Sequence, residues 1–470
     1  MSPLTSQPPA NDAVPAQVED TEETKRQHRS AIKAAFIGTF IEWFDYAAYI
    51  YMSAIISRVF FPEMEGRRAL IMTFALFALS FLVRPLGGIV WGHFGDKHGR
   101  IQTLTVSIVM MSLATACIGF LPGYATIGFA ASLLLLLCRM VQGFSAAGEY
   151  AGAATHLAEI APAGKRGIYS AVVPSATASG LLLGSLIAAL LTGVLDDAAL
   201  DSWGWRVPFL IALPLGMYGL WIRRHTEESS HFEDQDEPEE SPLREVLKYP
   251  KALAIAFAGA VLNAIGFYVI LTYLPTYLSE ELGMAATPAF IASSVASAFY
   301  VGFALLTGML SDRLGRRTTM LCAAAFMGVT IIPAFMLLDG AGILLVIIIQ
   351  VCLGGVLALN DGVLPSFLSE QFPTHVRLSG FALTFNTANA VFGGTAPMIA
   401  TWLIDVTGLQ LAPAFYLVAA ALVTGTAVLF ASKKNGLNDR MCWCVCMVSR
   451  FGVLILGLFH LFGGIFQLRP

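Results

Sequence analysis

Six charged side chains stand inside otherwise apolar runs: Glu42 and Asp45, Arg84, Arg139 and Glu149, and Asp361. A charge at the centre of a bilayer is costly, so each one marks a functional site by default. Glu42 and Asp45 are three residues apart and therefore share one helix face. Both fall about halfway along their run, as Arg139 does along its own, and this predicts a midplane cluster of two carboxylates and one guanidinium. Desolvation and a neighbouring guanidinium pull the proton affinity of such a carboxylate in opposite directions. That balance suits a group that takes up and gives back a proton; the alternative is a static buried pair that holds helices together. Glu149 and Asp361 stand nearer one end of their runs, and Arg84 is placed near that end too. Gate pairs with Arg84 or Arg377 and a part in proton coupling both stay open for Glu149 and Asp361.

Aromatic residues gather in the same places. Trp43, Phe44, Tyr46 and Tyr49 crowd the first run, and Tyr268, Tyr273 and Tyr277 lie along the seventh. Aromatic faces would hold a quaternary ammonium through cation–π attraction, although packing or interface anchoring explains most aromatics in membranes. Arg139 could grip the two oxygens of a carboxylate in a bidentate pair. Trp43, Tyr46, Tyr268, Tyr273 and Arg139 are the candidate substrate contacts; Asp45, Glu42, Arg139 and Glu149 are the candidates for proton coupling.

The elements that must position these residues follow from composition. Of 470 residues, 56% are hydrophobic and 13% charged, roughly half the ~25% charge of a soluble domain. Runs such as 101–121, 125–148 and 341–359 approach or exceed the ~20 residues that cross the hydrocarbon layer. A soluble enzyme, a fibrous protein and a nucleic-acid binder are excluded. The net charge of −4 is too small to imply a charged partner. Four cysteines sit singly in apolar runs, as small hydrophobes do, and Cys442, Cys444 and Cys446 have a spacing that fits no common zinc pattern, so no metal is expected. No HExxH or GxSxG constellation points to an enzyme.

Twelve apolar segments are predicted in two sets of six. Residues 1–30 read as a disordered tail, 31–222 as one six-helix bundle, 223–249 as an acidic linker, 250–432 as the second bundle, and 433–470 as an atypical apolar tail. Lys and Arg of the N-terminal tail and of every second loop fall on one side, leaving only Arg58, Arg67, Arg68 and Arg206 opposite. By the positive-inside rule the N-terminus and central loop are cytoplasmic. The halves repeat each other: Gly95-Asp96-Lys97-His98-Gly99-Arg100 is echoed by Asp312-Arg313-Leu314-Gly315-Arg316-Arg317, and Glu159, Pro162 and Arg166 by Glu370, Pro373 and Arg377. Such duplication is the plan of secondary transporters, with substrate bound between halves near the midplane. Gly95, Asp96, Gly99 and Arg100, with Asp312, Arg313, Gly315 and Arg316, form the candidate gate latches. Glycines there permit a tight turn and close helix approach.

The stretch from Gly87-Gly88 through Gly92 to Gly95-Asp96-Lys97-His98-Gly99-Arg100 resembles the signature loop of the major facilitator superfamily. Glu42-Trp43-Phe44-Asp45-Tyr46, Arg84-Pro85-Leu86-Gly87-Gly88, Gln142-Gly143-Phe144-Ser145 with Gly148-Glu149-Tyr150, and Trp203-Gly204-Trp205-Arg206 are similar to the metabolite:proton symporter branch. Its members carry carboxylates, shikimate, and proline or betaine. Residues 271–279 and 372–377 most resemble the members that carry proline and betaine. The resemblance, which covers about residues 31–432, implies an all-α bundle of twelve transmembrane helices in two pseudo-symmetric halves. It also implies uptake of a small zwitterion or carboxylate driven by a proton, with no organic cofactor, in a multi-pass protein of the cell inner membrane. Proline or glycine betaine is the expected substrate. 2-Oxoglutarate, other dicarboxylates, citrate and shikimate are the alternatives. A proton-driven drug exporter is the remaining reading, but the fifth segment, at Val173-Pro174-Ser175, lacks the Gly-Pro pair usual in exporters. The expected partners are substrate, proton and bilayer, with no nucleic acid, in a monomeric unit.

Overall fold

The computed structural model describes residues 22–87, 90–91, 100–146, 149–162, 164–224, 245–373 and 376–431. Long helices account for almost all of them. In chain order they are α1 (Glu22–Tyr51, continued by Ser53–Phe60), α2 (Gly66–Gly87), α3 (Arg100–Phe120), α4 (Phe129–Ser145 with Glu149–Ile160), α5 (Arg166–Val194) and α6 (Asp197–Ile222). The second set is α7 (Pro250–Glu281), α8 (Ala286–Leu314), α9 (Arg316–Leu338), α10 (Ile343–Gln371), α11 (Arg377–Thr407) and α12 (Ala412–Phe430). Ten of them are long and apolar enough to cross a membrane. Even the 19 residues of α12 rise about 28 Å at 1.5 Å each, enough to cross the hydrocarbon layer. The described residues thus form a multi-pass membrane bundle of twelve long helices in two halves. Large apolar side chains such as Phe129, Leu190, Met217, Leu344 and Phe430 remain on its outer surface. In water this would be an aggregation hazard; against lipid tails it costs nothing.

The halves meet along α5 and α8, where small residues let the backbones approach. A Cβ at Gly167 would lie 2.3 Å from the Gly308 carbonyl oxygen, so glycine is needed there. Hydroxyls line the rest of this seam. Ser294 Oγ meets Ser185 Oγ at 2.8 Å, Thr287 Oγ1 meets Thr192 Oγ1 at 3.2 Å, and Ser175 Oγ donates to Val301 O at 3.0 Å. Each of Ser294, Ser185 and Thr192 also reaches a carbonyl of its own helix: Phe290, Leu182 and Ala188 respectively.

Both ends of the interface between halves are closed. At the end bearing the Lys/Arg-rich loops, hereafter the basic end, Tyr150 stacks on Phe385 at 4.3 Å, in an apolar cluster with Leu157, Phe367, Phe372 and Phe381. At the opposite end Tyr51 Oη donates to Leu271 O at 2.9 Å, and Phe74 packs edge-on against Tyr273. There Arg67 of α2 grips Glu281 of α7 with Nη2 at 2.7 Å and Nε at 3.1 Å, and approaches Asp405 of α11 at 3.5 Å. Around the middle, α7 widens into π-helical turns at Phe267–Tyr273, and α11 at Asn389–Gly393. Such turns concentrate at functional sites.

Candidate functional site

The N-terminal half places four charges together at its core. Glu42 and Asp45 come from α1, Arg84 from α2 and Arg139 from α4; all four are nearly inaccessible. Arg84 Nη2 lies 3.2 Å from Glu42 Oε1, and its guanidinium covers Phe81 at 4.2 Å and Tyr46 at 4.9 Å. The expected placement of Arg84 near the basic end is therefore corrected. α2 lies against α1 so that the long side chain at residue 84 comes alongside residue 42, which α2's own hydropathy does not reveal. Arg84 is a second central cation, and its ion-pair partner is Glu42 rather than Glu149 or Asp361.

Arg139 is held differently. Nη1 donates to Gln142 Oε1 at 2.7 Å and Nη2 to Ser80 Oγ at 3.3 Å. Its guanidinium rests on Tyr49 at 4.2 Å and Phe77 at 5.0 Å, with Tyr46 at 5.6 Å. Gln142 Nε2 passes the network on to Thr115 Oγ1 at 2.5 Å. Asp45 sits beside Thr115, Glu42 and Arg139, yet neither of its oxygens receives a hydrogen bond of normal geometry. Thr115 spends its proton on Met111 O at 2.9 Å instead. Gly143 makes this arrangement possible: a Cβ there would lie 1.8 Å from Ser80 O. Any larger residue would push α4 off α2 and pull Arg139 away from Ser80.

Aromatic rings form a box across the interface between halves. Trp43 meets Tyr46 at 5.7 Å, Phe267 at 4.9 Å and Tyr268 at 5.8 Å. Phe81 packs against Tyr46 at 5.4 Å and Tyr268 at 5.5 Å. The polar edges of the box, Trp43 Nε1 and Tyr268 Oη, are buried without partners, as is Nε of each of Arg84 and Arg139. Buried polar atoms are normally hydrogen-bonded, so a group of orphans around one box fits a polar ligand. Tyr273 stands apart, packed on Phe74 and Tyr277 and sharing a 3.1 Å hydrogen bond with Thr401. Of the sequence candidates, Trp43, Tyr46 and Tyr268 come together around the arginines, whereas Tyr273 belongs to the closure at the end away from the basic loops.

Glu149 faces a narrow pocket shared with Glu42 and lined by Ser107, Ser112 and Met111. Asp361, in the C-terminal half, has no ion pair with Arg84 or Arg377. Its Oδ2 accepts from Tyr300 Oη at 2.5 Å and its Oδ1 from Asn360 Nδ2 at 3.0 Å. Arg377 instead approaches Glu159 at 3.6 Å and donates to Ser369 O at 3.0 Å, because residue 377 opens α11 at the very end of the bundle, well beyond Asp361 along α10. Sequence reasoning passed over Ser80, Thr115, Tyr150, Tyr300 and the buried Gln350, whose amide has no partner. Uncharged residues in apolar runs give little local signal.

The loop at Asp312 crosses between halves. Asp312 Oδ1 accepts from Gly167 N at 2.8 Å and Oδ2 from Ile168 N at 3.2 Å, capping the start of α5. Arg316 braces that carboxylate at 2.8 Å and reaches Glu370 at 3.4 Å. Gly315 adopts a φ of 91°, in the left-handed range that favours glycine, while Arg313 is exposed. In the first copy of the loop, Gly95, Asp96 and Gly99 lie outside the described residues. Arg100 opens α3, with its side chain outside them. Most of the acidic linker and the tail beyond residue 431, with Cys442, Cys444 and Cys446, also lie outside. Cys117, Cys138 and Cys352 are free thiols, but Cys322 is disulfide-bonded and so is not the isolated thiol expected.

Comparison with known proteins places the chain among relatives. The family model for the Major Facilitator Superfamily matches residues 35–375 and, separately, 256–439. The chain is 37% identical over 418 residues to the proline/betaine transporter of Escherichia coli (strain K12), covering 84% of this chain and 81% of that one. It is also 37% identical over 411 residues to a protein of Staphylococcus aureus (strain COL) provisionally named a proline/betaine transporter, covering 86% and 88%. Among solved structures, a D-xylose-proton symporter superposes with a TM-score of 0.69 at 17% identity, covering 88% of this chain and 99% of that one. The inward-open xylose transporter XylE of E. coli gives 0.65 at 17% identity, covering 86% and 95%. The fold is common to all of these.

Proposed function

Because the chain belongs to the major facilitator superfamily, whose members here are transporters and not enzymes, we propose that it is a proton-coupled importer of a small zwitterion, with proline or glycine betaine as substrate. The observation that carries this reading is the aromatic box of Trp43, Tyr46 and Tyr268 beside two buried guanidiniums. A zwitterion carries a carboxylate and a positive nitrogen. Arg139 is the anchor for the carboxylate, since Arg84 is committed to Glu42. The rings suit the nitrogen. The names borne by the relatives at 37% identity support the same substrate class.

Coupling follows from charge. Asp45 and Glu42 take up and release the proton, Arg139 links their charge to that of the substrate, and Glu149 faces Glu42 across the pocket they share. With Glu42 protonated, Arg84 loses its counter-charge. The presence of two buried guanidiniums favours one second reading, a symporter of 2-oxoglutarate, other dicarboxylates, citrate or shikimate held between Arg84 and Arg139. The basic end faces the cytoplasm of a cell whose inner membrane holds the protein as a monomer, with the N-terminus and the 223–249 linker inside and the proton as coupling ion. Residues 31–222 and 250–432 rock as two bodies. The Asp312 cap on α5, its Arg316 brace and the matching loop at Asp96 latch the cytoplasmic side.

Uptake into proteoliposomes under an imposed pH gradient tests the assignment. Excess betaine should block accumulation of labelled proline, and citrate should not. Strong transport of 2-oxoglutarate or citrate with no response to betaine or proline would transfer the assignment to the dicarboxylate reading. Accumulation that ignores the pH gradient would remove the proton.

A further inference from the structure

Asp361 is the only carboxylate buried at the core of the C-terminal half among the described residues, and the coupling scheme above does not use it. Its surroundings are unlike those of Glu42. Among the described residues no Lys, Arg or His comes within ion-pair distance. α8 contributes the Tyr300 hydroxyl at 2.5 Å, and its own helix contributes Asn360 at 3.0 Å. α7 contributes Asn263. α4 of the other half contributes Tyr150, which stands close to both Asp361 and Glu42. α9 has no charged residue between Thr318 and Leu338, and α11 none between Leu378 and Ile404.

An ionised carboxylate here has only neutral donors to sustain it, and the closest of them comes from another helix. A buried charge without compensation is strongly disfavoured. Any rearrangement that draws α8 away from α10 removes the phenol, the closest donor, and leaves the charge to the amides of Asn360 and Asn263 alone. Accepting a proton resolves the problem and turns the carboxylate into a neutral acid; re-forming the contact favours ionisation and returns the proton to water. We propose that Asp361 is a second proton-carrying site, in which the Tyr300 contact between α8 and α10 decides whether the proton is held. The inference rests on the proton-coupled reading and extends it to the opposite half.

Infrared difference spectra of the full chain in lipid, without substrate and titrated from acid to alkaline pH, test it. The wild type should show a pH-sensitive band from a protonated carboxyl group that Asp361→Asn removes. Tyr300→Phe keeps the carboxylate but loses its closest donor, and should move the midpoint of that band by about one pH unit, a tenfold change in proton affinity. A complete set of pH-sensitive carboxyl bands in Asp361→Asn, or a midpoint that Tyr300→Phe leaves in place, would overturn the proposal. Since no substrate is present, this result stands apart from the proteoliposome assay, where failure of the pH gradient to drive wild-type uptake would sink the coupling reading itself.

Discussion

The N-terminal half buries Glu42 against the guanidinium of Arg84, while the C-terminal half buries Asp361 against a phenol and an amide. The two arrangements occupy related places in a duplicated scaffold. Arg84 and Tyr300 stand at the same distance before the matching loop residues Asp96 and Asp312, and Tyr150 and Asp361 before Glu159 and Glu370. One half therefore has a cation where the other has a phenol, and a phenol where the other has a carboxylate. Breaking a buried ion pair strands a charge whichever partner is lost. A carboxylate among neutral donors changes protonation at much lower cost, because nothing opposite it is left unbalanced. The duplicated fold thus yields one site whose carboxylate gives up a cationic partner when it is protonated and one whose carboxylate does not.

The largest effect expected from this contrast is on stability. Glu42→Gln leaves Arg84 buried with no counter-charge and should cost about 3–5 kcal/mol. Asp361→Asn keeps an oxygen for Tyr300 and should cost about 1 kcal/mol, the worth of an ordinary hydrogen bond. Thermal unfolding of the two purified variants measures the difference; equal losses would dissolve the distinction between halves. Next comes Arg139→Lys, which forfeits the planar fork shared by Gln142 and Ser80 and the stacking on Tyr49. Loss of one charge-assisted bond, about 1.5–3 kcal/mol, should raise the substrate KM by roughly 10- to 100-fold, as read from initial uptake rates. Asp45→Asn should abolish accumulation against a gradient yet lower substrate exchange at equal pH by less than about threefold, under 1 kcal/mol. Full accumulation by this variant would leave Glu42 and Asp361 as the candidate proton carriers. The smallest change is expected at Arg67→Gln. That pair is part-exposed, and such pairs contribute about 1 kcal/mol or less. Exchange rates should shift by no more than about fivefold and become less sensitive to salt; a larger shift would make Arg67 a principal gate.

The long apolar helices and the shared helix face of Glu42 and Asp45 were legible in the sequence, because apolar length and intrahelical spacing are local properties. The Arg84 pairing was not. The depth of a residue at the end of α2 depends on how that helix leans on α1, and no run of hydropathy encodes the lean. Tyr300 was passed over for a related reason: a single tyrosine among Ala, Phe and Val signals nothing until α10 brings Asp361 to it. Tyr273 misled in the opposite way. It shares a helix and a chemical type with Tyr268, but the π-helical turns at Phe267–Tyr273 alter the angular register, and the two rings serve different layers. Gln142 and Gly143 were visible as a motif, while the need for glycine under Ser80 emerges only from the distance between backbones.

The hydroxyl seam between α5 and α8 has a kinetic consequence. Ser294, Ser185 and Thr192 each keep a carbonyl on their own helix within reach, so they lose no hydrogen bond outright when the partner helix slides away. At these three positions the interface behaves like an adhesive that peels without residue; only Ser175 and Thr287 give up a bond that their own helix does not replace. Its contribution to the activation enthalpy of each half-cycle should accordingly be small.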